Sequence, residues 1–138
     1  MYNNIGNIIK EFYVAIYIRL SKEDERLGES ESVENQRDLL DNYLEKSEEF
    51  ESIYEYVDDG YTGGNFDRPG FKKMLEDIES GKINCVICKD LSRFGRDHID
   101  TGFYLERYFP KKFIRFIAVT DGVDTKDSSG MQFLSFKL

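Results

Sequence analysis

Residues 13–21, Tyr13-Val14-Ala15-Ile16-Tyr17-Ile18-Arg19-Leu20-Ser21, form an apolar run that ends on a cation and a hydroxyl and then breaks into Lys22-Glu23-Asp24-Glu25. An uninterrupted run of this length reads as a buried central strand whose exit carries Arg19 and Ser21. Side chains alternate faces along a strand, so residues two apart project the same way. A guanidinium and a potential nucleophile then share one site. Three more arginines, Arg68, Arg93 and Arg96, also follow core-forming segments, and the expectation is that all four converge on Ser21.

Working outward, Glu23 to Ser32 is charged, contains Gly28 and reads as a loop. From Ser32, a candidate cap, Val33, Leu39, Leu40, Tyr43 and Leu44 approximate helical spacing and predict a first helix to about Lys46. Ile53 to Val57 is rich in aromatic and β-branched residues and predicts a second strand, with Glu55 hinting at a sheet edge. Gly60 to Gly64 predicts a glycine-rich loop. Pro69 at a first helical turn, an apolar face of Phe71, Met74, Leu75 and Ile78, and Gly81 at the exit predict a second helix. Ile83 to Cys88 predicts a third strand. Ile99, Phe103, Tyr104 and Tyr108 fit one face of a further helix stopped by Pro110, and Phe113 to Val119 predicts a fourth strand. Val123 to Gly130 reads as polar and flexible, and Met131 to Leu138 as a short strand or helix start.

Strands separated by helical segments predict an α/β fold: a mainly parallel four-stranded sheet, with right-handed crossovers and helices on both faces, and room for a short extra edge strand near the C-terminus. In such open sheets ligands bind beyond the carboxyl ends of the strands. Those ends carry Arg19 and Ser21, Asp58 and Asp59, the segment Asp90 to Arg96, and Thr120-Asp121.

The 138 residues, 40% of them hydrophobic, fit a single domain spanning 1–138 with its core at about 13–124. No apolar run approaches the roughly 20 residues of a membrane span, and the N-terminus lacks the pattern of a signal peptide, so the expected location is cytoplasmic. Cys85 and Cys88 stand three apart on a predicted strand and therefore face opposite sides, which predicts buried thiols rather than a disulfide or a shared metal. With 19 basic against 27 acidic side chains, a net charge of −8 excludes nucleic-acid binding by bulk charge. Any anion site is local.

Arginine presents planar paired donors that fit phosphate oxygens, and several on one phosphate stabilise charge that builds up during displacement at phosphorus. A serine among them is a candidate nucleophile. His98, the only histidine, opens a polar helix turn and reads as a surface residue, which argues against a Ser-His-Asp hydrolase.

Four segments together, Tyr17-Ile18-Arg19-Leu20-Ser21, Ser32-Val33-Glu34-Asn35-Gln36-Arg37, Asp67-Arg68-Pro69-Gly70-Phe71 and Leu91-Ser92-Arg93-Phe94-Gly95-Arg96-Asp97, resemble the catalytic domain of serine recombinases of the resolvase/invertase family. The acidic insert after Ser21 looks most like the large serine recombinases of mobile elements. The resemblance, over roughly Val14 to Asp124, implies a resolvase-like three-layer domain. It implies that Ser21 attacks a DNA phosphodiester to give a 5′-phosphoserine link and a free 3′-hydroxyl, which the reverse step religates. By the same resemblance Arg19, Arg68, Arg93 and Arg96 bind the phosphate and Gln36 is an active-site residue, with no cofactor, metal, membrane or small-molecule substrate. The implied partners are DNA and further copies of the protein, as homodimer and homotetramer, with DNA-binding domains C-terminal to this chain. Small resolvases carry an aspartate directly before the third arginine; here Ser92 stands there, leaving Asp90 or Asp67 as candidate support. Two other classes compete. Asp58, Asp59, Asp67, Asp90 and Asp121 at the sheet edge could serve a metal-dependent nuclease, or the domain could be a non-catalytic phospho-ligand or interaction module of flavodoxin-like topology.

Overall fold

The computed structural model describes residues 11–20, 32–60 and 66–126, with His98 described by its backbone alone. Ser21, the loop Glu23 to Glu31, most of the glycine-rich loop and Met131 to Leu138 lie outside the described residues.

Strand β1 (Phe12–Leu20) is an interior strand of the sheet, paired on both sides, as its unbroken apolar sequence requires. Helix α1 (Val33–Leu44) follows, capped by Ser32, whose Oγ accepts from Asn35 N at 3.0 Å. Then come β2 (Phe50–Asp59), α2 (Pro69–Glu79) and β3 (Cys85–Cys88). A short α3 (Leu91–Phe94) leads to α4 (His98–Gly102), which continues through a π-helical segment (Phe103–Tyr108) into α5 (Phe109–Lys111). Strands β4 (Arg115–Ala118) and β5 (Val123–Asp124) close the described chain.

The sheet order is β2-β1-β3-β4-β5, parallel except for β5, which pairs antiparallel with β4. The α/β expectation is met, and β2 is an edge strand. The extra antiparallel strand lies at Val123–Asp124, inside a segment read from sequence as polar and flexible; buried Val123 anchors it opposite Ala118. Alternation along β1 sorts the core into two layers. Val14, Ile16 and Ile18 face α1 through Leu40 and Leu44. Ala15 and Tyr17 face Phe71, Met74, Phe94, Leu105 and Phe109 from the helices of the other side. Cys85 and Cys88 fall in opposite layers, both buried and free. Among the described residues no helix is long and apolar enough to cross a membrane.

The sequence reading misplaced the apolar face of the α4–α5 helix. Ile99 is 83% exposed and Phe103 49%, while Thr101, Leu105 and Phe109 are buried and Tyr104 and Tyr108 pack at the margin. For the residues after Gly102 the π-helical segment is the reason, because it widens the turn and shifts their phase; Ile99 lies before it, in α4, and is exposed there. Nor does Pro110 stop the helix. It sits inside α5, whose exit is Phe113 at φ 59°.

At the amino ends of the strands, buried Arg115 ties the sheet together. Its guanidinium donates twice to Asp124 (2.9 and 2.7 Å) and once to Glu49 (2.8 Å), and lies 4.7 Å from the Phe12 ring centroid. Lys126 also donates to Glu49, at 2.8 Å. Burial alone would raise the Glu49 carboxyl, but the hydrogen bonds from Lys126 and Arg115 win and hold it below its ordinary value. A lowered folded value means stability that is present above the ordinary carboxylate range and lost as pH falls through the folded value. We expect Arg115→Leu, which strands the Asp124 carboxylate and leaves Glu49 with Lys126 alone, to cost about 3 kcal/mol in urea unfolding at pH 7. For Glu49→Gln the deficit against wild type should be present at pH 7 and shrink at pH 3; an equal deficit at both would show that the carboxylate charge contributes nothing.

Candidate active site

The carboxyl ends of β1, β2, β3 and β4 lie along one edge of the sheet, and the short helix α3 sits over the end of β1. Asp90 builds that helix. Its Oδ1 accepts from Arg93 N at 2.9 Å, capping the turn, and from Ser92 Oγ at 3.0 Å, while Oδ2 takes Arg93 Nη1 at 3.1 Å. Asp121, beyond β4, accepts Leu91 N at 2.7 Å and holds the other side of the turn. The carboxylate beside Arg93 is thus Asp90, two residues before the position where small resolvases carry theirs, with Ser92 donating to it. Asp67 faces the other way: it is exposed and ion-paired with Lys72, whose hydrogen bond lowers its carboxyl below the ordinary value.

Two arginines end on the backbone of the same turn. Arg19, fully buried, donates from Nε to Arg93 O at 3.0 Å and from Nη2 to Ser92 O at 2.7 Å. Arg68, also fully buried, donates from Nη2 to Phe94 O at 2.9 Å and from Nη1 to Tyr17 Oη at 2.9 Å. Three successive carbonyls at the end of a helix are natural acceptors for cations, because helix geometry leaves them without intrahelical partners. Burial pulls the Arg68 guanidinium below its ordinary value; the nearby Tyr17 opposes that shift and the Arg19 charge adds to it. Gln36, on α1, is fully buried and donates from Nε2 to Arg19 O at 3.1 Å. Arg93 is nearly buried and Arg96 half-buried. Arg19, Arg68, Arg93 and Gln36 are therefore brought together around α3 and the end of β1. Ser21, which follows Leu20 directly in sequence, lies outside the described residues.

Sequence reasoning marks Asp58 as a carboxylate at a strand end and a candidate metal ligand, but not as the residue that fixes Arg68. Asp58, 1% exposed at the end of β2, accepts Gly70 N (2.7 Å) and Phe71 N (2.9 Å) and so caps α2, whose own N-cap residue is Arg68. Its Oδ2 also accepts Tyr17 Oη at 2.7 Å. The hydroxyl, oriented by that bond, turns its lone pair to Arg68, and burial foremost pushes the phenol well above its ordinary value. Gly70 is required by this contact, since a Cβ there would stand 2.9 Å from Asp58 Oδ1. The signal was available in Pro69-Gly70 after an arginine, but only the register Arg19 opposite Asp58 reveals the partner.

Of the five carboxylates considered for a metal-dependent nuclease, four are engaged separately: Asp58 on α2 and Tyr17, Asp67 on Lys72, Asp90 on Arg93, and Asp121 on Leu91 N; Asp59 is exposed at the end of β2. Among the described residues no group of three or more acidic, histidine or cysteine side chains is placed to hold a metal.

The sequence profile of the family described as Resolvase, N terminal domain, matches residues 14–137. The N-terminal catalytic domain of TP901-1 integrase superposes with a TM-score of 0.78 at 30% identity, covering 90% of this chain and 89% of that one. A resolvase family site-specific recombinase from Streptococcus pneumoniae superposes with a TM-score of 0.69 at 29% identity, covering 92% and 86%. A Bacillus subtilis (strain 168) protein named as a candidate DNA recombinase is 31% identical over 83 residues, which is 60% of this chain but only 16% of that protein. The chain thus spans a small part of the length of that curated relative.

Removing the Asp90 side chain takes away both the cap of α3 and the anion beside Arg93. Asp90→Ala should lower stability by about 1–2 kcal/mol, in the range of a lost N-cap, read from urea unfolding of the chain. Unchanged stability would mean that Asp121 alone holds the turn.

Proposed function

Because the chain belongs to the resolvase N-terminal domain family, we propose that it is the catalytic domain of a site-specific DNA recombinase that cuts and rejoins DNA through Ser21. The observation that carries this reading is the meeting of the Arg19, Arg68 and Arg93 side chains on one helical turn at the exit of β1, the strand that leads directly into Ser21. In the proposed reaction Ser21 Oγ loses its proton and bonds to a backbone phosphorus, and the phosphodiester's bond to the 3′-oxygen breaks. The products are a 5′-phosphoserine and a 3′-hydroxyl, and the reverse attack by a 3′-hydroxyl restores DNA and serine. One phosphoester replaces another, so no external energy source is needed. The pentavalent phosphorus carries added negative charge, which fixed guanidinium donors stabilise without reorganising.

The cations divide the work. Arg19 and Arg68, buried against carbonyls, set the position of the α3 turn, which carries Arg93 and is followed by Arg96 two residues after its last residue. The proposed partners are DNA and further copies of the chain, as a dimer and a tetramer that bring two duplexes together, and the proposed setting is the cytoplasm.

In the full gene product, Ser21→Ala should abolish the covalent protein–DNA adduct on a nicked suicide substrate while binding persists. A remaining adduct would remove Ser21 from the nucleophile role. Cleavage by wild type should be unaffected by EDTA. Arg93→Lys keeps the charge but loses the forked donor geometry, and should slow adduct formation on the order of a hundredfold, the loss of one strong transition-state donor. A rate within a few fold of wild type would make Arg93 structural.

A further inference from the structure

Phe66 follows the glycine-rich segment and precedes the Asp67-Arg68 pair. The Arg68 guanidinium carbon lies 4.3 Å from the centroid of its ring, closer than to the rings of Phe71 (5.4 Å) or Tyr17 (5.5 Å). The ring itself is held from several sides, with centroids 4.7 Å from Phe71, 5.0 Å from Tyr104 and 5.3 Å from Phe94. On one further side stands the backbone of Gly95: a Cβ there would come within 2.3 Å of Phe66 Cζ and 2.8 Å of Thr101 Oγ1. Gly95 has φ −178°, an extended conformation open to any residue. The constraint on that position therefore comes from the neighbouring ring and hydroxyl, not from backbone strain.

We propose that Phe66 is a positioning residue for Arg68: its ring, seated against Gly95, presses the guanidinium onto Phe94 O and Tyr17 Oη and so couples Arg68 to the turn that carries Arg93 and is followed by Arg96. The inference rests on the recombinase reading for its consequence in catalysis, and on the contacts alone for the geometry. A cation over an aromatic face is attracted by the ring quadrupole, and more strongly where water is excluded. With both Nη groups also engaged by fixed acceptors, the plane of the guanidinium is determined by three contacts of different kinds. Gly95 sits between Phe94, whose carbonyl Arg68 binds, and Arg96. A displaced Phe66 ring would therefore disturb the arginine and the turn together.

Leucine at residue 66 keeps an apolar side chain but has no π face, which separates positioning from packing. Two readouts are taken in the full gene product. The first is the side-chain ¹H–¹⁵N signals of Arg68, expected to be ring-current shifted in wild type and to relax toward ordinary values in Phe66→Leu. The second is single-turnover adduct formation on a suicide substrate, expected to fall about tenfold in Phe66→Leu with DNA affinity unchanged, and to fall less than twofold further when Phe66→Leu is added to Arg68→Lys. Unchanged Arg68 signals in Phe66→Leu overturn the proposal. So does a tenfold loss that is equally large in the Arg68→Lys background, because two side chains acting as a unit must be non-additive. If wild type forms no Ser21-dependent adduct, the recombinase reading fails, and the Arg68 signals still decide whether Phe66 positions the arginine.

Discussion

A guanidinium taken out of water has to find an acceptor for its donors, and in this chain Arg19 and Arg68 find theirs in Ser92 O, Arg93 O and Phe94 O. That constraint shapes the whole carboxyl edge of the sheet. The acceptors exist because α3 ends at Phe94, and the last carbonyls of a helix have no partner within it. The turn exists because Asp90 and Asp121 hold its amino end. Opposite charges thus grip α3 from its two ends, with carboxylates where the N–H groups point and guanidiniums where the carbonyls point, the arrangement that the helix dipole favours. Delete either set and the other loses its geometry.

Asp58 performs the matching task one strand over. A carboxylate 1% exposed is costly unless its lone pairs are filled, and Gly70 N, Phe71 N and Tyr17 Oη fill them. Through Tyr17 it also offers negative charge to Arg68, which has Arg19 as a second cation close by. Two cations near each other in a buried setting repel, and anions placed a bond away offset that repulsion. Asp58 and Asp90 act in this way on Arg68 and Arg93, so the site is a lattice of alternating charge and not a cluster of bare arginines.

The legible and the illegible parts of this structure differ in kind. β1 could be read because its signal is local: an apolar run of strand length flanked by charge. The capped start of α1, Pro69 at the head of α2 and the opposed faces of Cys85 and Cys88 were legible for the same reason. The α4–α5 face was not, because a π-helical segment changes the period that the reading assumes, and Phe103 turns outward while Leu105 and Phe109 are buried. Gln36 shows the other limit. On its own helix it is one polar residue among many, and only the approach of β1 makes it a buried donor to Arg19 O. Arg19, Arg68 and Arg93 could be singled out by type and position, but their acceptors are backbone atoms, which a sequence pattern does not announce. Asp58 was noticed as one of several carboxylates near strand ends, and its contacts, not its identity, give it a role.

The burial of these cations also bears on how an acidic chain can act on DNA. Non-specific affinity comes from exposed lysines and arginines that displace counterions from phosphates, and it grows with their number. Here the net charge is −8, and Arg19, Arg68 and Arg93 are each at most 3% exposed, so they contribute little to such attraction at a distance. Their charge is short-ranged and is partly offset by Asp58 beside Arg68 and Asp90 beside Arg93. In the proposed reaction a phosphate would gain from them only once inside the site, where water is excluded and each donor is worth more than at the surface. Affinity and catalysis are thereby separated. Under the proposed function, the fixed guanidiniums would act on a phosphate that other contacts have already delivered, which would restrict strand cleavage to DNA held in register with the site.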